Sequence, residues 1–360
     1  MNKVIKTFVI ILFIGIILTG VVYATTKIVQ TINEQRNENK GNAKLTPTFT
    51  SSVGNTDINS IWIGSFQLAW NELIDLVGED IEFEGEDSNL VTLLNEKSFD
   101  KTMIDENSYY IKVGVTSKKF KKEIEDEVQN KFGTTENILS NFNFDDNDDS
   151  YSLYSYIINH FEFLIPFNEM KTKSSFNGSE KKYRYFGIDS ENIENLKDSV
   201  DILFYNDEND FAVKLNTKEG DEVILYLNDS YDMSFKDIYY EILDKEKEYD
   251  GEKKIDWGDI LEIPYINFET MINYSELCGK SIKSSDMYLS NAVQSVKFYL
   301  DRTGGGIISE AIIRAQTFSV EGGRKKLKFN RPFVILIKEK NASIPYFSLK
   351  VNDESILVEN

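Results

Sequence analysis

The chain has 360 residues with a formal net charge of −20, and hydrophobic residues make up 41% of it. This hydrophobic content is typical of a globular protein and excludes an intrinsically disordered chain. The acidity excludes general nucleic-acid binding, because phosphates would be repelled. With 24 Phe and 19 Tyr but only 5 Pro, the composition favours long β-strands.

The N-terminal segment predicts a location outside the cytoplasm. Lys3 and Lys6 precede an uncharged run, residues 7–26, which is long enough to cross a bilayer as a helix. Positive charge before the run predicts a single-pass membrane anchor, with the N-terminus inside and the domain extracellular. The alternative is a signal peptide that is cleaved near Ala24 and releases a secreted protein.

We divide the chain into an anchor or signal over residues 1–27, a flexible polar linker over residues 28–58 and one domain over residues 59–360. The single cysteine, Cys278, excludes an internal disulfide, so the fold must depend on its core. An extracytoplasmic domain without disulfides suits a Gram-positive bacterium better than an animal.

Predicted helices come first along the domain, and predicted strands follow. Apolar spacings of three and four predict a buried helix over residues 60–76 and a charged amphipathic helix over residues 116–132. Later segments are rich in β-branched and aromatic residues and are separated by short acidic turns. The predicted strands are Tyr154–Leu164, Val200–Tyr205, Asp210–Leu215, Glu222–Leu227, Ile260–Phe268, Val293–Leu300, Leu327–Lys338 and Tyr346–Val351. This order predicts an α+β fold.

The only histidine, His160, argues against an enzyme. A Ser-His-Asp or Cys-His site would need it, and a His-based zinc site would need partners that are absent. Apolar strand residues surround it in YIINHFEFLI, so we interpret it as a packed structural histidine. An extracellular hydrolase remains an open but weaker alternative. We predict no catalytic residues, no metal and no cofactor.

The acidic stretch after the second predicted helix resembles a calcium loop only in part. Asp145, Asn147 and Asp149 match alternate ligand positions. Ser150 stands where the turn glycine belongs, and Tyr156 stands where the bidentate glutamate belongs. We therefore interpret the stretch as a surface loop.

Two further motifs have simple interpretations. Residues 304–306 are three glycines, and because no Lys-Ser/Thr follows, a phosphate loop is excluded and a flexible hinge is favoured. The basic cluster at residues 324–328 is interpreted as a solvated turn, although it stands out in an acidic chain.

Residues 327–337, LKFNRPFVILI, resemble the C-terminal signature of the serpins, and the following KEKNASIPYFSLKVND resembles the final hairpin of that family. The signature is an alternating apolar pair, Asn, a basic residue, Pro and Phe, followed by apolar residues. Its central positions are filled here by Phe329, Asn330, Arg331, Pro332 and Phe333.

A second segment agrees with the first. Residues 288–304, YLSNAVQSVKFYLDRTG, resemble the serpin segment that forms the strand bordering the opening of the main sheet. The span of residues 304–329 is close to the length of the family's exposed reactive loop. Residues 155–168 are similar to the central strand that ends in Trp-x-x-Pro-Phe, with Phe163 in place of the Trp. The resemblance covers about residues 150–352.

The resemblance implies a fold and a mechanism. The expected fold has N-terminal helices, a large mostly antiparallel β-sheet, a smaller C-terminal barrel-like sheet and an exposed reactive loop. The expected activity is suicide-type inhibition of a serine protease: the cut loop inserts into the sheet as an extra strand and distorts the protease. The family register gives Phe318–Ser319 as the bait bond, which would suit a chymotrypsin-like protease, and a monomer is expected.

The hinge and the residues that control sheet opening depart from the family pattern. The corresponding hinge positions are Gly304, Gly305, Gly306, Ile307, Ser309 and Ala311, of which Gly305, Ile307, Ser309 and Ala311 are expected to face the core on insertion. The family's Asn and His, which control opening, correspond to Ser155 and Gln294 here. These departures leave a second interpretation open, a non-inhibitory binding or structural domain of the cell envelope on the same fold.

Overall fold

The structure is a computed structural model of the chain, and it describes residues 43–54, 58–85, 88–132, 139, 144–146, 149–157, 161–171, 173–189, 192–228, 233–285, 287–305 and 325–359. The predicted anchor, residues 7–26, lies outside these ranges. Within them, no helix combines the length and the hydropathy needed to span a membrane.

The described part of the chain contains five α-helices. They are α1 (Ser65–Val77), α2 (Asn89–Asn95), α3 (Lys118–Phe132), α4 (Ile193–Leu196) and α5 (Phe235–Glu248). The predicted amphipathic helix is confirmed as α3, which buries Phe120, Ile124 and Val128 on one face. Helix α5 begins with a capping box between Ser234 and Asp237.

Strands make up most of the described structure. In chain order they are β1 (Ala43–Leu45), β2 (Asn59–Ile63), β3 (Tyr109–Val115), β4 (Ser150–Ile157), β5 (Phe161–Glu162), β6 (Asn168–Glu169), β7 (Tyr185–Ile188), β8 (Val200–Asp207), β9 (Asp210–Asn216), β10 (Glu222–Leu227), β11 (Ile260–Pro264), β12 (Ile266–Asn273), β13 (Tyr288–Asp301), β14 (Gly304–Gly305), β15 (Lys326–Lys328), β16 (Phe333–Lys338) and β17 (Phe347–Val351).

A seven-stranded sheet in the order β1-β2-β17-β16-β10-β9-β8 contributes much of the main core. Its central strand β16 is buried at every position, because the run FVILI is apolar on both faces of the strand. All pairings in this sheet are antiparallel except that of β1 with β2.

A six-stranded sheet runs in the order β3-β4-β13-β14-β5, and β12 pairs with β13. Successive residues of β4 point to opposite faces, as expected for a strand. Leu153 therefore packs in the cluster that contains α1, while Tyr154 packs in the cluster that contains α3. The long strand β13 is the centre of this sheet, because it pairs with β4, β12 and β14.

A four-stranded sheet in the order β15-β11-β7-β6 completes the architecture. Strands β7 and β11 approach so closely at Gly187 that a Cβ atom there would clash with the carbonyl oxygen of Leu261. None of the described sheets closes into a barrel, and the C-terminal strands β16 and β17, predicted to form a smaller barrel-like sheet, lie instead in the open seven-stranded sheet. The α+β class and the large, mostly antiparallel sheet are confirmed.

The predicted linker over residues 28–58 extends too far, because residues 43–54 belong to the folded part. Leu45, Phe49 and Val53 are spaced four apart and are buried in the main core. Polar neighbours hide this apolar spacing in the sequence, so composition alone pointed to a linker.

The predicted helix over residues 60–76 also begins too early. Residues up to Ile63 form β2, which pairs with β17, and the helix starts only at Ser65. Gly64 separates the two elements and packs against the ring of Phe99, where a Cβ atom would clash. A short apolar run is compatible with a strand or a helix, and here pairing with a distant strand decides.

Candidate functional site

The six-stranded sheet opens at one end of β13. Along most of its length β13 pairs in parallel with β4, from Tyr288 to Val296. At its last residues, Leu300 and Asp301 pair instead with β14. Strand β14 then pairs with β5 on its other side. A two-residue strand thus lies between β13 and β5 at this end of the sheet.

The orientation of β14 explains why this opening can hold a strand. Strand β14 is antiparallel to β13 and also antiparallel to β5. Because β13 and β4 are parallel to each other, one strand between such parallel neighbours makes two antiparallel ladders. Antiparallel pairing is slightly more stable per residue than parallel pairing. The opening therefore has the geometry of a site that accepts a strand.

Both residues of β14 are buried glycines, and the packing around them explains why. A Cβ atom on Gly304 would clash with the carbonyl oxygen of Phe161. A Cβ atom on Gly305 would clash with the ring of Phe161 and would lie 3.0 Å from the carbonyl oxygen of Tyr299. Only glycine permits this close approach of three backbones.

Of the predicted hinge, the structure brings Gly304 and Gly305 into the opening. The remaining predicted hinge residues and the bait bond lie outside the described residues. They are Gly306, Ile307, Ser309, Ala311, Phe318 and Ser319.

An aromatic cluster lies beneath the opening. Phe161, Phe163 and Phe167 are buried, and the ring centroids of Phe163 and Phe167 are 4.9 Å apart in an edge-to-face arrangement. The ring of Phe163, the residue predicted to replace the family's Trp, also contacts that of Phe186. These aromatic contacts stabilise the segment that includes β5 and the residues after it.

The predicted control pair, Ser155 and Gln294, are register partners on β4 and β13, and both are fully buried. They do not bond to each other. Tyr274 donates its hydroxyl proton to Gln294 Oε1 (2.9 Å), and Gln294 Nε2 donates to Ser65 Oγ (2.9 Å). Burial raises the pKa of Tyr274 well above its usual value, so the phenol remains a donor at physiological pH. Gln294 therefore links β13 to the first turn of α1.

Ser155 differs from its partner, because its hydroxyl has no hydrogen-bond partner among the residues that the structure describes. A buried polar group without a partner costs about 1–3 kcal/mol. Sequence reasoning missed Tyr274 and Ser65, since nothing local marks them as partners of a glutamine on a distant strand.

The other end of the predicted loop is anchored in the four-stranded sheet. Strand β15 pairs in parallel with β11. The backbone N–H of Lys325 donates to Asp259 Oδ1 (2.8 Å), and Lys328 Nζ lies 2.7 Å from Glu262 Oε1. The side chains of Asp259 and Glu262 are only 1% and 7% exposed. The basic cluster was predicted to be a solvated turn, but two of its lysines pair with buried carboxylates.

The signature residues connect β15 to β16. Phe329 and Phe333 are fully buried, with ring centroids 5.1 Å apart. Arg331 donates to the side chain of Asn209 and to the carbonyl oxygen of Glu208 (3.3 Å). Asn330, through its carbonyl oxygen, accepts the backbone N–H of Asn177. Together with Pro332, these residues hold the connection between β15 and β16 against the rest of the fold.

No metal site is evident in the described ranges. They contain no group of three or more His, Cys, Asp or Glu side chains arranged to hold a metal ion. Burial raises the pKa of the half-buried Cys278 thiol to about 11, which keeps it protonated at neutral pH. His160 and Asn147 lie outside the described residues, so the interpretations placed on them stay predictions.

Comparison with solved structures identifies the fold. Human glycosylated kallistatin is 15% identical to the chain, with a TM-score of 0.54, and the match covers 83% of this chain and 92% of kallistatin. A complex of thyroxine-binding globulin with thyroxine is 13% identical, with a TM-score of 0.51, and the match covers 83% and 94%. No family model and no curated protein sequence matches. The chain therefore has a serpin-like fold.

Replacement of Gln294 by Ala is expected to lower the free energy of unfolding by about 2–3 kcal/mol, because Tyr274 and Ser65 each lose a buried partner. Replacement of its register partner, Ser155→Ala, is the matched control and should be neutral or slightly stabilising, because it removes an unpaired hydroxyl. Urea unfolding followed by tryptophan fluorescence measures both. Equal destabilisation by the two variants would contradict this assignment.

Replacement of Asp259 by Asn is expected to speed amide hydrogen exchange in β15 by about tenfold, since Lys325 loses its buried counter-charge. Glu208→Gln is the control, because Glu208 pairs with Lys326 on the exposed surface and such pairs contribute little. Mass spectrometry of peptides that cover residues 325–328 reports the rates. An Asp259 variant that exchanges like the Glu208 variant would remove Asp259 from the anchor.

Proposed function

We propose that the protein is a serpin-like inhibitor that traps a serine protease by inserting its cut loop into the six-stranded sheet. The carrying observation is the position of Gly304 and Gly305, which already form a strand antiparallel to both borders of the opening. The fold neighbours are serpins, which act mostly as protease inhibitors, so a protease is the partner class that the fold favours.

The register supports insertion. On one side Gly305 faces Leu300 of β13, and on the other it faces Phe161 of β5. If this antiparallel register continued for six residues, Ala311 would face Gln294 of β13 on one side and Ser155 of β4 on the other. Those two residues are partners of each other in the β4–β13 ladder.

The same count supports the direction in which the loop side chains would face. At Gln294 and Leu153 the sheet faces α1 and the core. Gly305, Ile307, Ser309 and Ala311 would share that face, because successive strand residues alternate. These are small or apolar side chains, which a core accepts.

Insertion would replace one parallel ladder by two antiparallel ladders and add core contacts. This gain supplies the free energy to drag an attached protease, provided that the uncut state is kinetically trapped. The uncut loop cannot enter fully while its far end is held by β15. Cleavage releases that restraint.

We further propose that Phe318–Ser319 is the bait bond and that the target is chymotrypsin-like, because a large apolar residue suits such a pocket. The protein would act as a monomer, on the outer face of a Gram-positive cell membrane. The membrane location is supported by the uncharged run at residues 7–26, which follows Lys3 and Lys6. Secretion after signal cleavage is the alternative.

A non-inhibitory binding or structural domain is the second candidate. Ile307 would face Phe298, whose ring stacks on Phe347 at a centroid distance of 4.5 Å. A β-branched side chain there is stiff and would have to fit beside a packed ring, which would slow insertion and let the protease escape. The structure of thyroxine-binding globulin with thyroxine supports a binding role on such a fold.

Incubation with chymotrypsin is expected to give an adduct of inhibitor and protease that survives denaturing electrophoresis. Phe318→Asp should abolish the adduct, because a carboxylate does not fit an apolar pocket. Clean cleavage of the unmodified protein without an adduct would favour the binding domain. Turnover of a protein substrate would support a hydrolase.

Loop cleavage is expected to raise the thermal midpoint of unfolding by about 10 °C or more. The new strand pairing should contribute several kcal/mol, and each kcal/mol shifts the midpoint of a large domain by roughly 2–4 °C. Ala311→Arg should remove this rise, because it would bury a charge between Ser155 and Gln294. Glu310→Gln, one position away on the opposite face, is the control and should retain the rise. A cleaved protein with an unchanged midpoint would contradict insertion. Scanning calorimetry measures all three.

A further inference from the structure

We propose that Asp301 is a positioning residue that holds the hinge in the opening of the sheet. Its hold would determine whether a cut loop inserts before the protease escapes. The first claim concerns only described contacts, whereas the second rests on the proposed function.

Asp301 is the last residue of β13, and its register partner across the turn is Gly304. Arg302 and Thr303 form the two-residue turn between them. The Oδ1 atom of Asp301 accepts the backbone N–H of Thr303 (2.7 Å), the hydroxyl of Thr303 (2.6 Å) and the backbone N–H of Gly304 (3.3 Å). One carboxylate oxygen therefore organises the whole turn, through hydrogen bonds that its charge strengthens.

The backbone of this turn needs such support. Two-residue hairpins are favoured when their central residues have positive φ, because the turn then matches the twist of the strands. Among the described non-glycine residues, only Lys97 and Asn177 have positive φ, so Arg302 and Thr303 do not. Asp at the first position and Gly at the fourth are the residues that a type I turn prefers. The Asp301 side chain thus stabilises a turn whose twist does not match that of the strands.

The backbone of the turn is also hydrogen-bonded to the segment that follows β5 in the chain. The carbonyl oxygen of Thr303 accepts the N–H of Phe163 (2.9 Å), and that of Arg302 accepts the N–H of Phe167 (2.7 Å). The turn is therefore held by the carboxylate on one side and by the buried aromatic segment on the other. The backbone contacts would persist in any variant of Asp301 that folds, so a substitution there tests the carboxylate alone.

The length of β14 makes this hold important. With only two residues, β14 has few ladder bonds of its own. A prepositioned first pair removes the loop-closure entropy that a free strand end would have to overcome before it could pair. After cleavage, insertion would then only need to propagate from Gly305. Without the Asp301 bonds, Gly304 and Gly305 would pair less persistently with β13 and β5, insertion would begin later, and the acylated protease would gain time to hydrolyse its bond.

Hydrogen exchange on the full chain tests the first claim. Asp301→Ala is expected to speed exchange of the Gly304 and Gly305 amides by about tenfold or more. Asp301→Asn keeps an acceptor oxygen and should stay within about threefold of the unmodified protein. Asp207→Ala is the matched control, because Asp207 Oδ1 accepts the N–H of Asn209 (2.7 Å) in the β8–β9 turn. It should change exchange only in that turn.

Titration with chymotrypsin tests the second claim. The number of inhibitor molecules consumed per trapped protease should rise about tenfold in Asp301→Ala and return near the original value in Asp301→Asn. Unchanged hinge exchange in Asp301→Ala, or an Asn variant as defective as the Ala variant, would overturn the assignment. If the unmodified protein forms no adduct, the proposed function fails, while the exchange experiment still decides whether Asp301 holds the hinge.

Discussion

The parallel pairing of β4 with β13 is the constraint on which the rest of the structure depends. Among the described strands of this mostly antiparallel sheet, this pair is the one place where an added strand can be antiparallel to both neighbours. The start of the loop, β14, already occupies the open end of that boundary. Its far end, β15, belongs to another sheet. In the proposed mechanism, the loop is thus held between a site that would accept it and an anchor that keeps it out.

Side chains on both faces of the sheet pack at the boundary between β4 and β13. Gln294 is fully bonded and joins β13 to α1, whereas Ser155 on β4 has no partner in the described structure. Helix α3 covers the opposite face through Ile124 and Val128. An unsatisfied buried group at this boundary is consistent with the proposed insertion, because separating the two strands could relieve its cost.

The parts of the fold that could be predicted from the sequence are those marked by a local residue pattern. The signature connects β15 to β16 and begins and ends with the buried Phe329 and Phe333, and its residue pattern is local, so it is visible without coordinates. The amphipathic period of α3 likewise survives as a local signal. Contacts between distant segments left no such signal. Tyr274 was missed for this reason, and the role of Asp301 appeared only once β14 was seen to turn back along β13.

The central claim is that the six-stranded sheet widens by one strand when the loop is cut. Spin labels at Val115 of β3 and Glu269 of β12, both exposed, would report this on a chain whose Cys278 is replaced by Ser. The account predicts that their separation grows by about 5 Å, one strand spacing, after complete loop cleavage. An unchanged separation in the cleaved protein would contradict it.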